Sequence, residues 1–361
     1  MKPLIPQAED ASIMGIVPAL LRGDHPAWFP DVLRDARSVV LLVIDGLGWN
    51  ALSDRRSGLP NIGSMSGGPI ATVIPSSTAP ALTSLTTGTP PSVHGILGTR
   101  MRVGEEVLDV LRWTVQEGEP PDPRTVQPIP PFRGRPVPVV TRALFQGSGF
   151  TETHLRDAEF VGWWTPATMV EHCRTLVSEH PLVYAYYEGL DLVAHVYGLA
   201  GPHYAAELRA VDRLVGDLLD VLPPWARLLI TSDHGMVSIP DEGVVVLDTL
   251  DGALAGTSGE PRFRWLHAVP GAESELLAAA EERYGYGAWV LPRDRVVEEE
   301  WLGPPPEPRV RRRLGDVVVA ARESVAFIDP IVPREGMLVA HHGSSTEDEM
   351  LVPLLCGPGR A

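Results

Sequence analysis

The sequence predicts an α/β fold with a mostly parallel central sheet, helices on both faces and a small inserted α+β subdomain. Three largely apolar segments, 39–44, 182–188 and 228–231, are typical of strands buried on both faces of a parallel sheet. Acidic or histidine side chains follow each segment closely, and ligands bind at the carboxyl edge of open α/β sheets. The candidate chemistry is therefore expected at one edge of one sheet.

The domain prediction rests on length and on a change of pattern along the chain. With 361 residues and 44% apolar composition, the chain suits one α/β domain that carries an insertion. Residues 1–245 and 336–361 are assigned to the catalytic core. Residues 246–335 read as strand, helix, strand and strand, and they are assigned to a small α+β cap or insertion.

The charge of the chain limits its partners. A net charge of −16 argues against a nucleic-acid polymer, because a phosphate backbone requires a basic surface. It leaves room for a small phosphate- or phosphonate-containing substrate held by metal ions, whose charge is not part of that sum. The basic run RVRRR at 309–313 is interpreted as a solvated surface, with a substrate contact as the alternative.

Cysteine content and hydropathy indicate the cellular compartment that the sequence predicts. Two cysteines, Cys173 and Cys356, give no disulfide framework, so a reducing cytoplasm is expected. The first residues lack the pattern of a signal peptide, and no apolar run is long enough to span a bilayer, so no membrane partner is expected. The oligomeric state stays open.

A helix is predicted to begin at Thr78. Pro80 suits a first helical turn, and Gly88 suits the position just after a helix. Thr78 would then lie where backbone N–H groups favour a phosphate. From this segment alone, a plain N-cap role for Thr78 is the simpler interpretation.

Further polar side chains stand where strands end. Asp45 follows the first buried strand, where it could bind a ligand or cap the next helix. Asp191 and His195 are four residues apart and share a helix face, as two metal ligands or as a solvated ion pair. Asp233 and His234 follow the third strand, and packing alone does not explain them.

Taken together, these residues offer carboxylate, imidazole and hydroxyl ligands of the kinds that bind two zinc-like ions. Two such ions could clamp a phosphoryl group and activate the Thr78 hydroxyl. The full set of predicted metal ligands is Asp45, Thr78, Asp191, His195, Asp233, His234 and His342.

Five motifs in this order resemble the alkaline phosphatase superfamily, and most closely its type I phosphodiesterase/nucleotide pyrophosphatase family. They are Asp45–Gly46, PSSTAPALTSLTTGTPPSVHG at 75–95, Asp191 with His195, SDHGM at 232–236 and His342–Gly343. The resemblance implies a three-layer sandwich and a phosphodiesterase, possibly acting on nucleotides, with a covalent phospho-threonine intermediate. It also implies two divalent ions, zinc in the first place, with manganese or iron as alternatives.

The resemblance also implies a role for each residue. Thr78 corresponds to the nucleophile, and His94 lies in a structural turn. One metal site takes Asp45, Asp233 and His234, and the other takes Asp191, His195 and His342. His341 competes with His342 for the last position, and the glycine that follows favours His342.

Two departures from the family motif widen the choice of substrate. Ala79 and Ala81 stand where the family has Phe and Asn, so a phosphate donor is missing and the leaving-group side is open. Phosphonate C–P hydrolysis, phosphomonoester hydrolysis and phosphotransfer remain alternatives on the same metal site. Leu82 replaces the arginine of the sulfatase signature, which disfavours a sulfatase. A non-catalytic metal-binding relative is a further alternative, supported only by Ala81.

Overall fold

The computed structural model describes residues 2–6 and 11–361. Within them, seventeen strands form one large sheet and several small ones. They are β1 (Ser38–Ile44), β2 (Ser66–Ala71), β3 (Arg100–Val103), β4 (Glu106–Asp109), β5 (Pro138–Arg142), β6 (Glu159–Trp163), β7 (Leu182–Tyr187), β8 (Ala226–Thr231), β9 (Val237–Ser238), β10 (Val244–Val246), β11 (Leu254–Glu260), β12 (Phe263–Ala268), β13 (Ala288–Pro292), β14 (Val317–Ala321), β15 (Ala326–Ile328), β16 (Ala340–His341) and β17 (Leu351–Pro358).

The α-helices range from a single turn to five turns. They are α1 (Ile13–Arg22), α2 (Trp49–Ser53), α3 (Pro60–Gly63), α4 (Thr78–Thr87), α5 (Pro91–His94), α6 (Pro123–Val126), α7 (Gly149–His154), α8 (Pro166–Leu176), α9 (Gly189–Tyr197), α10 (Pro202–Val221), α11 (Glu273–Tyr284), α12 (Arg293–Glu298), α13 (Pro308–Arg311) and α14 (Glu347–Met350). None of these helices is both long and apolar enough to cross a membrane, as far as residues 2–6 and 11–361 are concerned.

The central sheet has seven strands in the order β2, β17, β8, β1, β7, β5 and β6. The five strands from β8 to β6 run parallel, whereas β17 pairs antiparallel with both of its neighbours. The predicted α/β fold with a mostly parallel sheet is confirmed.

Strand β1 divides its side chains between two cores, as a strand buried on both faces must. Val39, Leu41 and Val43 pack with residues of α1 and α4 on one face of the sheet. Val40, Leu42 and Ile44 pack with residues of α8, α9 and α10 on the other. The helices therefore cover both faces and complete a three-layer sandwich.

The segment 246–335 contains a second, antiparallel sheet in the order β11, β12, β14 and β13, with α11 packed against it. Phe263 and Trp265 of β12 pack in the same core as Leu82 and Leu85 of α4. The small sheet therefore shares one continuous core with the helix that begins at Thr78. The boundaries of the two predicted domains stay a prediction.

Candidate active site

Three parallel strands end side by side, and their ends carry most of the predicted site. The register pairs Val43 of β1 with both Tyr186 of β7 and Thr231 of β8. The residues just beyond these strands therefore meet at one edge of the sheet. Asp45 follows β1, Asp233 follows β8, and α9 begins two residues after β7 ends.

Two groups of potential metal ligands lie at this edge. In the first, Asp191, His195 and His342 offer atoms within 4.8 Å of one another. Asp191 Oδ1 is 3.4 Å from His195 Nε2 and 4.0 Å from His342 Nε2. In the second group, Asp191 joins Asp45 and His234, and Asp45 Oδ1 is 3.3 Å from His234 Nε2. Asp191 thus stands between the two groups.

Asp233 lies against the second group but, among the residues described, is not a member of it. Its Oδ2 is 3.4 Å from His234 Nε2, and its Oδ1 accepts hydrogen bonds from the backbone N–H groups of Gly46 and His234. The carboxylate is therefore held by one oxygen and presents the other to the site.

The three histidines of the site are oriented in the same way. Each donates its Nδ1–H to a backbone carbonyl, which fixes the tautomer and leaves Nε2 with a lone pair for a metal ion. The pairs are His195 with Ala340 at 2.7 Å, His234 with Gly235 at 3.0 Å, and His342 with Ser76 at 3.1 Å.

The electrostatics of the site call for a cation. Asp45 Oδ1, Asp191 Oδ1 and Asp233 Oδ2 are buried and have no hydrogen-bond partner among the residues that the structure describes. Burial and the neighbouring carboxylate of Asp233 raise the pKa of Asp45 well above its usual range. Burial and the stacked ring of His234, 3.6 Å away, lower the pKa of His342 well below its usual range. Divalent cations favour ionised carboxylates and neutral imidazoles, so these residues fit metal ions.

Thr78 is the hydroxyl that faces the ligand groups. Its Oγ1 lies 3.2 Å from His234 Nε2 at the N-terminus of α4. The hydroxyls of the two preceding residues are engaged elsewhere, because Ser76 donates to the carbonyl of Ser344 and Ser77 donates to Glu260. Of the three, only Thr78 points at the site.

The helix that carries Thr78 ends as the sequence predicts. Gly88 adopts φ +70°, and a Cβ at this position would lie 2.3 Å from the ring of Pro18. His94 is fully buried beyond this point, where its Nε2 bonds the hydroxyl of Ser84 and its Nδ1 accepts the N–H of Ile96. These contacts fit the structural role expected for His94.

His341 and His342 occupy different positions. His342 Nε2 lies in the first ligand group, whereas His341 belongs to neither group among the residues described. Burial and the neighbouring His195 lower the pKa of His341 to about 3. The geometry therefore favours His342 as the ligand.

Two buried residues at the site were missed from the sequence. Tyr186 donates its hydroxyl hydrogen bond to Asp45 Oδ2. Its alternation with Tyr184 along β7 is a sequence signal, since it places both rings on one face of the sheet. Glu260, at the end of β11, accepts from Ser77, and burial raises its pKa to about 7. No local motif marks Glu260.

Two cavities meet at Thr78 and Asp191, which line both of them. One cavity of about 280 Å³ is mainly apolar, with walls that include Leu82, Phe150 and Tyr184. The other, of about 480 Å³, is lined by charged side chains, and its arginines are Arg100, Arg112 and Arg334. Thr78 therefore stands between an apolar and a charged compartment.

The fold and site are those of a metal-dependent enzyme that acts on phosphoric esters. A model of the type I phosphodiesterase / nucleotide pyrophosphatase family matches residues 39–345. The chain therefore belongs to this family, whose members are phosphoric ester hydrolases.

Solved structures share the fold over most of their length. Murine ectonucleotide pyrophosphatase / phosphodiesterase 5 superposes with a TM-score of 0.70 and 17% identity, over 88% of this chain and 87% of that one. Phosphonoacetate hydrolase from Sinorhizobium meliloti 1021, in complex with phosphonoformate, superposes with a TM-score of 0.62 and 19% identity, over 89% of this chain and 90% of that one. A second structure of the murine protein contains an inactive threonine-to-alanine variant in complex with AMP.

Among curated proteins, GPI ethanolamine phosphate transferase 3 from Schizosaccharomyces pombe is 32% identical over 82 residues. This match spans 23% of the chain and only 9% of the length of that relative. It is therefore a local similarity.

Proposed function

We propose that this protein hydrolyses a phosphodiester with two metal ions and a covalent phospho-threonine intermediate on Thr78. The observation that carries the proposal is the position of the Thr78 hydroxyl. It lies at a helix N-terminus, 3.2 Å from His234 Nε2 and close to carboxylate oxygens that accept no hydrogen bond from the described residues. The inactive threonine-to-alanine variant of the murine relative supports a nucleophilic threonine in this fold.

Residues on either side of Asp191 would hold the ions. As the resemblance implies, Asp191, His195 and His342 would hold one ion, and Asp45, Asp233, His234 and Thr78 would hold the other. Asp191 also lies within reach of the second group, beside Asp45 and His234. The mixture of nitrogen and oxygen donors suits zinc, and it also accommodates manganese or iron. When bound, the ions supply positive charge that favours the Thr78 alkoxide and neutralises the phosphoryl oxygens.

The N-terminus of α4 takes over part of the role of the missing asparagine side chain. Ser77 occupies the N-cap position, but its hydroxyl bonds Glu260 and makes no side-chain cap. The first N–H groups of the helix are thus left to the site, where they and the helix dipole favour a phosphate. These groups compensate for the donor that Ala81 lacks.

The proposed hydrolysis has two steps. Thr78 gives its hydroxyl proton to water, and its Oγ1 attacks phosphorus. As the new O–P bond forms, the P–O bond to the first alcohol breaks, and that alcohol leaves with a proton from water. A second water then attacks the phospho-threonine, which releases the phosphomonoester and restores the Thr78 hydroxyl. His234 lies beside the Thr78 hydroxyl, and Asp45 lies beside His234.

The two cavities favour a diester, because they provide room on both sides of Thr78. The apolar cavity would take one ester group, and the charged cavity, which contains Arg100, Arg112 and Arg334, would take a charged one. The arginines also give phosphonate hydrolysis a specific basis, since Arg112 or Arg334 could bind a carboxylate close to the reacting phosphorus. The phosphonoformate complex of the structural relative supports this second candidate.

We also propose a reducing, cytoplasmic location. Cys173 and Cys356 are both buried and free. Burial raises the pKa of each thiol to about 12, so both are unreactive and neither serves as a disulfide partner.

The experiment is a comparison of kcat/KM for three substrates with the metal-loaded enzyme: a nitrophenyl diester, its matched monoester and phosphonoacetate. The proposal expects the diester to be the best of the three. A monoester or phosphonoacetate preferred over the diester would replace the proposal with the corresponding alternative. No turnover of any substrate by protein that holds two ions would favour phosphotransfer or a binding role.

A further inference from the structure

A third cavity lies apart from the two that meet at Thr78 and shares no lining residue with them. Its volume is about 520 Å³. Five arginines line it, together with the carboxylates of Glu105 and Asp316, an excess of three positive charges on a chain whose net charge is −16. The arginines are Arg102, Arg293, Arg309, Arg312 and Arg313.

Both carboxylates of this cavity are already paired. Glu105 accepts from Arg102 at 3.1 Å, and Asp316 accepts from Arg293 at 3.0 Å and from the N–H of Ala268 at 2.9 Å. They therefore have little left to offer the remaining arginines.

The basic run RVRRR supplies those remaining arginines. The contact of Arg309 with a carboxylate is to the exposed Glu307, at 3.3 Å. Arg312 is exposed, and its guanidinium makes no ion pair or hydrogen bond within the described part of the chain. Several guanidinium groups that face one cavity repel one another unless an anion lies between them.

Arg313 is the buried member of the cluster. It is 8% exposed, and within the described part of the chain its guanidinium donates only to the backbone carbonyls of Gly95 and Val126, at 2.6 and 3.1 Å. The Nε of Arg293, which lines the same cavity, is buried and has no hydrogen-bond partner in residues 2–6 and 11–361. A buried guanidinium without a carboxylate is costly, and an anion in the cavity would offset that cost.

We infer that this arginine-lined cavity is a second binding site, for a small anion with several phosphate groups. One guanidinium can bind two oxygens of a phosphate group. Five guanidinium groups around one cavity are more than a ligand with a single carboxylate would require. The acidic surface of the rest of the protein disfavours a nucleic-acid polymer here. The inference concerns binding and does not depend on the reaction at Thr78.

One hairpin connects this cavity with the catalytic cleft. Residues 102–105 at the tip of the β3–β4 hairpin line the arginine cavity, while Arg100 and Asp109 at its base line the charged cavity beside Thr78. Arg100 and Arg102 are two residues apart on one strand, about 7 Å. An anion bound at the tip therefore contacts the element that forms a wall of the cleft.

The test is calorimetric titration of inorganic pyrophosphate into the metal-loaded protein. Three proteins are compared: wild type, the double variant R309A/R312A and the control R311A. Arg311 belongs to the same basic run, but it pairs with Asp294 and does not line the cavity. Metal content before and after each titration, melting temperature and diester turnover verify that all three proteins are folded and equally loaded.

Pyrophosphate binding to the metal ions contributes equally in all three proteins, so the difference between them reports the arginine cavity. We expect an additional binding event in wild type and R311A, weakened at least about tenfold in R309A/R312A. Equal affinity and stoichiometry in wild type and the double variant would overturn the inference. An equal loss in R311A would also overturn it, because general charge would then explain the binding.

Discussion

At the scale of single residues, Asp191 is the centre of the site. Asp191 belongs both to a group with His195 and His342 and to a group with Asp45 and His234. The resemblance assigned Asp191 to one metal site only. Its position between the groups makes it a candidate bridge, whereas His195 serves one group.

We therefore expect Asp191→Asn to lower the metal content of both sites and His195→Ala to lower that of one. The amide removes the negative charge that both ions would share, while the imidazole contributes to a single ion. Metal analysis after dialysis measures the stoichiometry of each variant. Loss of one ion or none from Asp191→Asn would contradict the bridging role.

Tyr186 is bonded to Asp45, one of the predicted metal ligands. Its hydroxyl donates to Asp45 Oδ2, whereas the neighbouring Tyr184 has a buried hydroxyl with no hydrogen-bond partner among residues 2–6 and 11–361. We expect Tyr186→Phe to weaken metal affinity about 10- to 100-fold, because residues behind the ligands orient them. Tyr184→Phe is the matched control and should leave metal affinity unchanged. Equal affinities in the two variants, by competition with a chelating dye, would contradict this role.

The sequence predicts the positions of ligands better than their division between two ions. Asp45, Asp233 and His234 could be assigned to one strand edge because parallel strands end together. Asp191 belongs to both ligand groups because of the position of α9 at that edge, and the spacing of residues in the sequence does not encode this position. The position of Glu260 beside Ser77 results from contact between distant segments, and no local sequence pattern predicts it.

At the scale of elements, a buried ion pair joins the small sheet to the segment that carries His342. Arg262, in the turn between β11 and β12, bonds both oxygens of Glu349 on α14 at 2.7 and 2.8 Å. Glu349 Oε1 also accepts the N–H of Ser344 at 2.9 Å, two residues after His342. The pair therefore links the segment that carries His342 to the small antiparallel sheet.

Arg262→Met should lower the free energy of unfolding by about 3–5 kcal/mol, because it leaves the Glu349 carboxylate buried and unpaired. Urea denaturation measures the change. The exposed pair of Arg174 and Glu171 offers a control, and Arg174→Met should change stability little. A small effect of Arg262→Met would contradict the structural role of the pair.

Elements with a continuous apolar pattern could be predicted, and those without one could not. The segment 39–44 reads as a buried strand because both of its faces meet helices. Strand β11, with the sequence LAGTSGE, was missed because its glycines and polar residues carry no periodicity, and its strand state comes from pairing with β12. Pairing between strands of the insertion thus overrides local propensity.

At the scale of the whole molecule, burial keeps several histidines neutral. Burial lowers the pKa of His94 to about 3 and the pKa values of His154 and His267 to about 4. In the unfolded chain these groups titrate near 6.5. The stability they provide is therefore complete above pH 6.5 and is lost as the pH falls towards 4.

We expect the free energy of unfolding to decrease from pH 6.5 to pH 4, with each buried histidine contributing up to about 1.4 kcal/mol per pH unit. His154→Gln should reduce this slope relative to wild type, since one group that binds a proton on unfolding is removed. Urea denaturation across this pH range, at fixed metal loading, measures both slopes. Identical slopes would contradict the assignment of His154.

Thr78 is proposed to carry the reaction at a two-metal site. Metal content and diester turnover, measured together in wild type, Thr78→Ser and Thr78→Ala, test this proposal. We expect about two ions per chain in all three proteins. Turnover should be partly kept by Thr78→Ser and reduced at least about 1,000-fold in Thr78→Ala. Near-normal turnover by Thr78→Ala with its metals in place would contradict the account and move the nucleophile to Ser76 or Ser77.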